Sequence, residues 1–242
     1  MLSLTAKTLS RLFVKKVFRG MATAIDLTSP KTPECITKTK YRLTFNGLPY
    51  YEARTLMLEL QTVTDMHEVT DVFGKYANIL CHQHVAMAYE QIGRFQMDLD
   101  NNFWETIFPY GKAVVSEATR DTAHSMSKIL INLSKRLVQD EELWKIAVQQ
   151  KLLKENLIRY IPMDILPKLF YALAFNKKGN KEIFDKMEQI FLKNIKYYQQ
   201  STHEKIPKFF KCGYDLSGRV MPAEIQEIVK TRYYKPVPLP DL

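Results

Sequence analysis

The chain has 242 residues, 46% of them hydrophobic and 25% charged, with a formal charge of +9. These are ordinary globular proportions with room for one sizeable core, which excludes a disordered or low-complexity chain. Three cysteines, Cys35, Cys81 and Cys212, are odd in number and widely separated, so they exclude a disulfide framework and a CxxC metal knuckle and are expected as free, mostly buried thiols. With only 8 glycines and long stretches free of both Gly and Pro, helices are favoured over sheets.

Residues 1–25 carry five basic residues and no acidic one. Lys7, Arg11, Lys15 and Arg19 recur every four residues on one helical face, and Leu9, Phe13 and Val17 occupy the opposite one. An amphipathic, acid-free, Arg- and Ser-bearing segment is the pattern of a mitochondrial transit peptide, with a basic N-terminal helix as the alternative. The expected location is therefore the mitochondrial matrix or the matrix face of the inner membrane. No apolar run approaches the roughly 20 residues that a bilayer span requires, so no transmembrane segment is expected. Without those five charges the remainder carries +4, modest for a nucleic-acid binder. Residues 26–55, rich in Thr, Pro and Lys before Pro49, are expected as an extended arm with a short strand at 41–45.

From Asn101 onward the chain aligns with itself in blocks of forty without a gap. Phe103-Trp104, Leu143-Trp144 and Ile183-Phe184 fall in register, followed by Ile107, Ala147 and Met187. Later columns hold Met126, Leu166 and Ile206; Lys128, Lys168 and Lys208; Ile129, Leu169 and Phe209; and Leu130, Phe170 and Phe210. Pro167 and Pro207 also coincide. Each block reads as a helical hairpin. In the second, a helix over 141–158 begins after the N-cap residue Asp140, and a second helix carries Leu166, Leu169, Phe170 and Leu173 to a stop at Asn176-Lys177-Lys178-Gly179. The third block predicts helices over 181–198 and 204–212. An earlier unit lies 41 residues upstream, where Val85, Ala88 and Ile92 precede Met126, Ile129 and Leu133, giving helices near 65–76 and 82–94. A truncated last helix is expected at 221–233.

Hairpins of this kind bury their apolar stripes only by stacking. The expected fold is all-α, a right-handed-type α-solenoid of about four helical hairpins over residues 56–233, with extended N- and C-terminal arms. The C-terminal arm, 234–242, is a proline-rich tail. Within the array the Trp and Phe columns are expected as core, Trp104 and Trp144 in equivalent buried positions.

Chemistry is harder to find. No P-loop, dinucleotide fingerprint, nucleophile elbow or zinc-protease helix occurs. Cys81-His82-Gln83-His84 gathers three potential ligands, but neighbours on a helix diverge around its axis. Asp98-Leu99-Asp100-Asn101-Asn102 resembles the start of a calcium loop, yet Phe103 stands where the central Gly belongs. It reads better as a polar turn capping the next helix. Asn132-Leu133-Ser134 is a glycosylation sequon inside an expected helix. No enzyme activity, cofactor, metal or small-molecule substrate is expected.

The stretches Glu68–Phe73, His84–Phe95 and Tyr160–Ala174 resemble the repeats of organellar helical-repeat RNA-binding families. These are the octotricopeptide and heptatricopeptide repeat proteins and the Fas-activated serine/threonine kinase-like repeats, here over residues 60–215 and without a RAP domain. The resemblance implies a mitochondrial ribonucleoprotein, with ribosomal RNA and proteins as partners and the mitochondrial ribosome as the first expectation. An accessory subunit of an inner-membrane complex, the ATP synthase or the respiratory chain, is the alternative. In a stacked array Lys128, Lys168 and Lys208 would line one face, making them the RNA-binding candidates.

Overall fold

The computed structural model describes residues 48–77 and 80–232; the basic segment 1–25, the strand expected at 41–45 and the tail 234–242 lie outside the described residues. Every regular element among the described residues is helical. In chain order these are α1 (Leu48–Thr62), α2 (Met66–Lys75), α3 (His82–Arg94), α4 (Phe108–Ser116), α5 (Ala123–Lys135), α6 (Glu141–Lys145), α7 (Leu166–Phe175), α8 (Lys181–Lys193), α9 (Ile195–Gln200), α10 (Ile206–Ser217) and α11 (Ala223–Arg232). Two π-helical segments join them: Phe103–Ile107 runs into α4, and Ile146–Lys154 continues α6.

The expected boundaries need four corrections, the first being the helix expected over 204–212, which runs from Ile206 to Ser217. The arm expected to be extended over 26–55 is helical from Leu48. Pro49 falls in the first turn, where its missing N–H has no intrahelical partner to lose, and fully buried Leu56 and Leu60 hold the helix by packing. The long helix expected over 141–158 changes from α to π at Ile146 and gives way to a 3-10 turn at Leu157–Tyr160. The helix expected over 181–198 breaks at Asn194, whose side chain donates to the Ile190 carbonyl at 2.8 Å.

Packing joins alternate elements. Helix α1 packs on α3, α3 on α5, α5 on α7 and α7 on α10. In parallel, α2 packs on Phe103–Ile107, α4 on Ile146–Lys154, and that segment on α8. We call the first set the second-helix row and the other the first-helix row. Helix α11 closes against α9 and α10.

The helix ends explain where each element stops. Beyond α3, α5, α7 and α10 the chain enters the left-handed region at Gln96 (φ 51°), Leu137 (φ 53°), Lys177 (φ 55°) and Gly218 (φ 65°), at intervals of 41, 40 and 41 residues. In each case the next N–H reaches back five residues: Met97 to Ile92, Val138 to Leu133, Lys178 to Leu173 and Arg219 to Tyr214. This is the Schellman closure, which satisfies carbonyls left over at a helix C-terminus. The first-row starts are equally alike. Asp100, Asp140 and Asn180 accept from the backbone N–H of Phe103, Leu143 and Ile183 at 3.1, 2.7 and 2.9 Å. Each cap satisfies a donor that would otherwise be unpaired.

The core runs between the rows. All the apolar columns aligned above are buried with one exception. Towards the C-terminal end it is aromatic: the Phe170 ring stands edge-on to Phe184 at 5.2 Å and Phe191 at 5.6 Å, and Phe191 meets Phe210 at 4.9 Å. The exception is Trp104, 43% exposed where Trp144 is 3% exposed. Trp144 turns inward and its indole N–H donates to the Val138 carbonyl at 2.8 Å. At Trp104 the wider i→i+5 turn has already begun, at Phe103, whereas around Trp144 it begins two residues later. The angular positions therefore differ, and Phe103 alone fills the interior at the first site.

One buried polar group ties α1 to α3. His84 accepts at Nδ1 from the Cys81 backbone N–H at 3.2 Å, with the Cys81 thiol also at 3.3 Å, and its Nε2 faces the Ala53 carbonyl at 3.2 Å. An acceptor Nδ1 and a donor Nε2–H define a neutral imidazole. Burial pushes its pKa down to about 4.

Candidate nucleic-acid interface

The three sequence-selected lysines lie on successive helices of the second-helix row: Lys128 on α5, Lys168 on α7 and Lys208 on α10. All three are half-buried, as expected of long side chains lying along an apolar stripe. The corresponding residue on α3, 41 positions before Lys128, is Met87, so the basic column begins at α5.

Their surroundings differ. Lys128 pairs with Glu90 of α3 at 3.1 Å. Burial holds the Lys168 ammonium below its ordinary range; Glu90 opposes that shift, while Lys135, Lys205 and Lys128 reinforce it. From the α10 side it is Lys205, the residue just before the helix, whose charge bears on Lys168. Lys208 bears instead on the Cys212 thiol one turn on, which burial raises. Lys128 is thus the lysine of the column that contacts Glu90, the charges of Glu90, Lys135, Lys205 and Lys128 bear on Lys168, and Lys208 has other neighbours.

Glu90, Lys135 and Lys205 were not singled out from the sequence. Glu90 had a readable signal, since it sits one turn beyond Met87, the position equivalent to Lys128. Lys135 and Lys205 had none, because neither shares a repeat position with the lysine column. His124 lies in the first turn of α5; burial lowers its pKa, Lys128 adds to that, and Asp164 and Glu90 oppose it.

The other candidates are absorbed into the architecture. Cys81 and His84 form the start of α3, while His82 meets the Ser125 hydroxyl at 2.8 Å, leaving the three potential ligands engaged in different directions. Among the described residues no group of three or more His, Cys, Asp or Glu side chains is placed to hold a metal ion. Asp100 is a helix cap. Asn132 of the sequon is buried, donates to the Lys128 carbonyl at 2.8 Å and packs against Gly93, where an added Cβ would come within 2.0 Å of its Oδ1. Cys81 and Cys212 are free and buried. No described helix is long and apolar enough to cross a membrane.

Chemically, the lysine face can hold an anion. Lys128 is paired with Glu90, while Lys168 and Lys208 make no ion pair among the described residues. No protein-family model and no curated protein matches the chain.

Proposed function

We propose that this protein is a non-catalytic, RNA-contacting structural subunit of a mitochondrial ribonucleoprotein, with the mitochondrial ribosome first among them. In this reading the chain is an α-solenoid of about four hairpins with a repeat near 40 residues. Serial packing in two rows, matching Schellman ends and N-caps at Asp100, Asp140 and Asn180 support that arrangement. The basic amphipathic pattern of residues 1–25 supports mitochondrial delivery.

The observation that carries the RNA contact is the lysine face itself. Lys128, Lys168 and Lys208 stand at one repeat position on successive packed helices, a layout suited to following a phosphate backbone without reading bases. Co-sedimentation of the native protein with mitochondrial ribosomes, and away from respiratory complexes, is the expected result. A second reading, an accessory subunit of the ATP synthase or respiratory chain, is favoured by the neutralising Lys128–Glu90 pair and the modest +4 charge beyond residue 25. Co-migration with those complexes alone selects it.

A further inference from the structure

We infer that this protein pairs with a second copy of itself, antiparallel and two-fold, through the first-helix row. The motivating observation is a charge gradient along the packed helices. Residues 48–121 hold eleven acidic and five basic residues, while residues 122–232 hold twelve acidic and twenty basic, net charges of −6 and +8. Within the first-helix row the contrast is sharpest at its two ends. The stretches 65–76 and 95–109 carry six acidic residues against one lysine, and 177–200 carries six lysines against three acidic residues. Serial packing, from α2 through Phe103–Ile107 and α4 to Ile146–Lys154, α8 and α9, sets these stretches at opposite ends of the row. Their charges are open to a partner. Asp71, Asp98 and Glu105 are exposed and make no ion pair among the described residues, and the same holds for Lys181, Lys193 and Lys196. Asp185 and Glu188 of α8 are engaged by Arg219 at 2.6 and 3.5 Å, so they leave the charge of those lysines uncancelled.

Aromatic side chains stand at both ends. Trp104 is exposed but braced, its ring edge-on to Phe103 at 5.0 Å and to Phe108 at 5.1 Å. Tyr197, next to Lys196, is exposed and held edge-on to Tyr198 at 5.3 Å. Rings fixed in this way contribute contact area with little loss of freedom, and an indole face attracts an ammonium. A second copy supplies the ammonium groups. Antiparallel pairing sets Asp71, Trp104 and Glu105 of one copy against Lys193, Lys196 and Tyr197 of the other. The two-fold axis repeats that contact at the opposite end and closes the pair. Parallel pairing would oppose like charges, which costs free energy. The middle of the row, residues 140–156, is nearly balanced with four acidic and three basic residues, and can face itself across the axis.

Sedimentation velocity of the full chain, over a range of protein concentrations at low and high salt, tests the pair. A monomer–dimer equilibrium that weakens as salt rises is expected. K193E/K196E and D71K/E105K should each raise the dimer dissociation constant about tenfold or more. R159E/K230E, at exposed residues outside the first-helix row, should leave it unchanged. Unchanged helical content at high salt establishes that each variant is folded. Mixing is the sharpest step. K193E/K196E and D71K/E105K together recreate both contacts of an antiparallel pair, so the mixture should dimerise although neither variant does so alone. In W144F, acrylamide should quench Trp104 freely in the high-salt monomer and less as the dimer forms. A wild-type monomer at every salt and concentration overturns the pair, as does a mixture that stays monomeric. Equal affinity in the wild type and both charge-reversed variants overturns it too. Association that D71K/E105K weakens and K193E/K196E does not would mean that another basic surface, residues 1–25 included, covers the acidic end, and the two-fold pair would be wrong. Growth beyond the dimer contradicts two-fold closure.

Discussion

The two rows of helices solve the same packing problem in different ways. In the second-helix row, α5, α7 and α10 are uninterrupted α-helices, each closed by a left-handed residue and a five-residue back-bond. In the first-helix row two elements contain π turns and a third breaks at Asn194. The tryptophans show the consequence, since Trp144 is core and Trp104, forty residues earlier, is 43% exposed. The first-row elements keep their caps and their buried Phe103, Leu143 and Ile183, and the turns after them vary.

The largest expected effects test that contrast directly. Trp144→Ala removes a buried indole and its bond to Val138, and should cost roughly 3–5 kcal/mol in chemical denaturation. Trp104→Ala should cost less than about 1 kcal/mol. In a Trp144→Phe background the remaining Trp104 emission should be readily quenched by acrylamide; a shielded Trp104 would restore equivalence of the two sites. Phe170→Ala, at the centre of the aromatic cluster of α7, α8 and α10, belongs with Trp144 at roughly 3–5 kcal/mol.

The α1–α3 junction should be acid-labile. With His84 held near a pKa of about 4 against an ordinary 6.5, the unfolded chain takes up a proton first as pH falls. Stability is complete above pH 6.5, declines between there and about pH 4, and loses on the order of 3 kcal/mol. The pH dependence of the urea midpoint should flatten over that window in His84→Gln. An unchanged slope would mean that His84 is not held neutral.

Gly93 tests how closely the second-helix row packs. Gly93→Ala puts a Cβ into the Asn132 side chain and should cost about 1–3 kcal/mol, while the Gly93→Ala/Asn132→Ala pair should recover part of the loss. The smallest effect is a gain. Leu137 is exposed and left-handed, so Leu137→Gly exchanges a steric penalty of about 1–2 kcal/mol for a chain-entropy cost of about 0.5–1 kcal/mol. A small rise in melting temperature is expected.

From α3 onward the second-helix row was legible because its signals are local. Prolines at 167 and 207 sit in first turns, apolar residues recur at helical spacing, and α3 begins and ends at the residues its pattern indicates. The π turns were not legible. Phe103-Trp104 and Leu143-Trp144 look equivalent in composition, and only the onset of the wider turn separates them. The left-handed ends were only partly legible: a stop was expected at Asn176-Lys177-Lys178-Gly179, but the left-handed residue there is Lys177, and Gln96 and Leu137 also adopt that conformation without a glycine. For the lysine face, the repeat register identified Lys128, Lys168 and Lys208. Lys135 and Lys205, whose charges bear on Lys168, lie in the last turn of α5 and just before α10, positions that the register does not relate to the lysine column.

RNA binding through the lysine face is tested most directly by its salt dependence, measured on the wild-type chain and on the folded K128E/K168E/K208E variant. Wild-type affinity for unstructured RNA should fall linearly on logarithmic axes as salt rises. The variant should bind more weakly, with a slope shallower by about 2 for three lost phosphate contacts. Equal affinity and an equal slope in the two proteins would contradict an RNA-contacting role for this face.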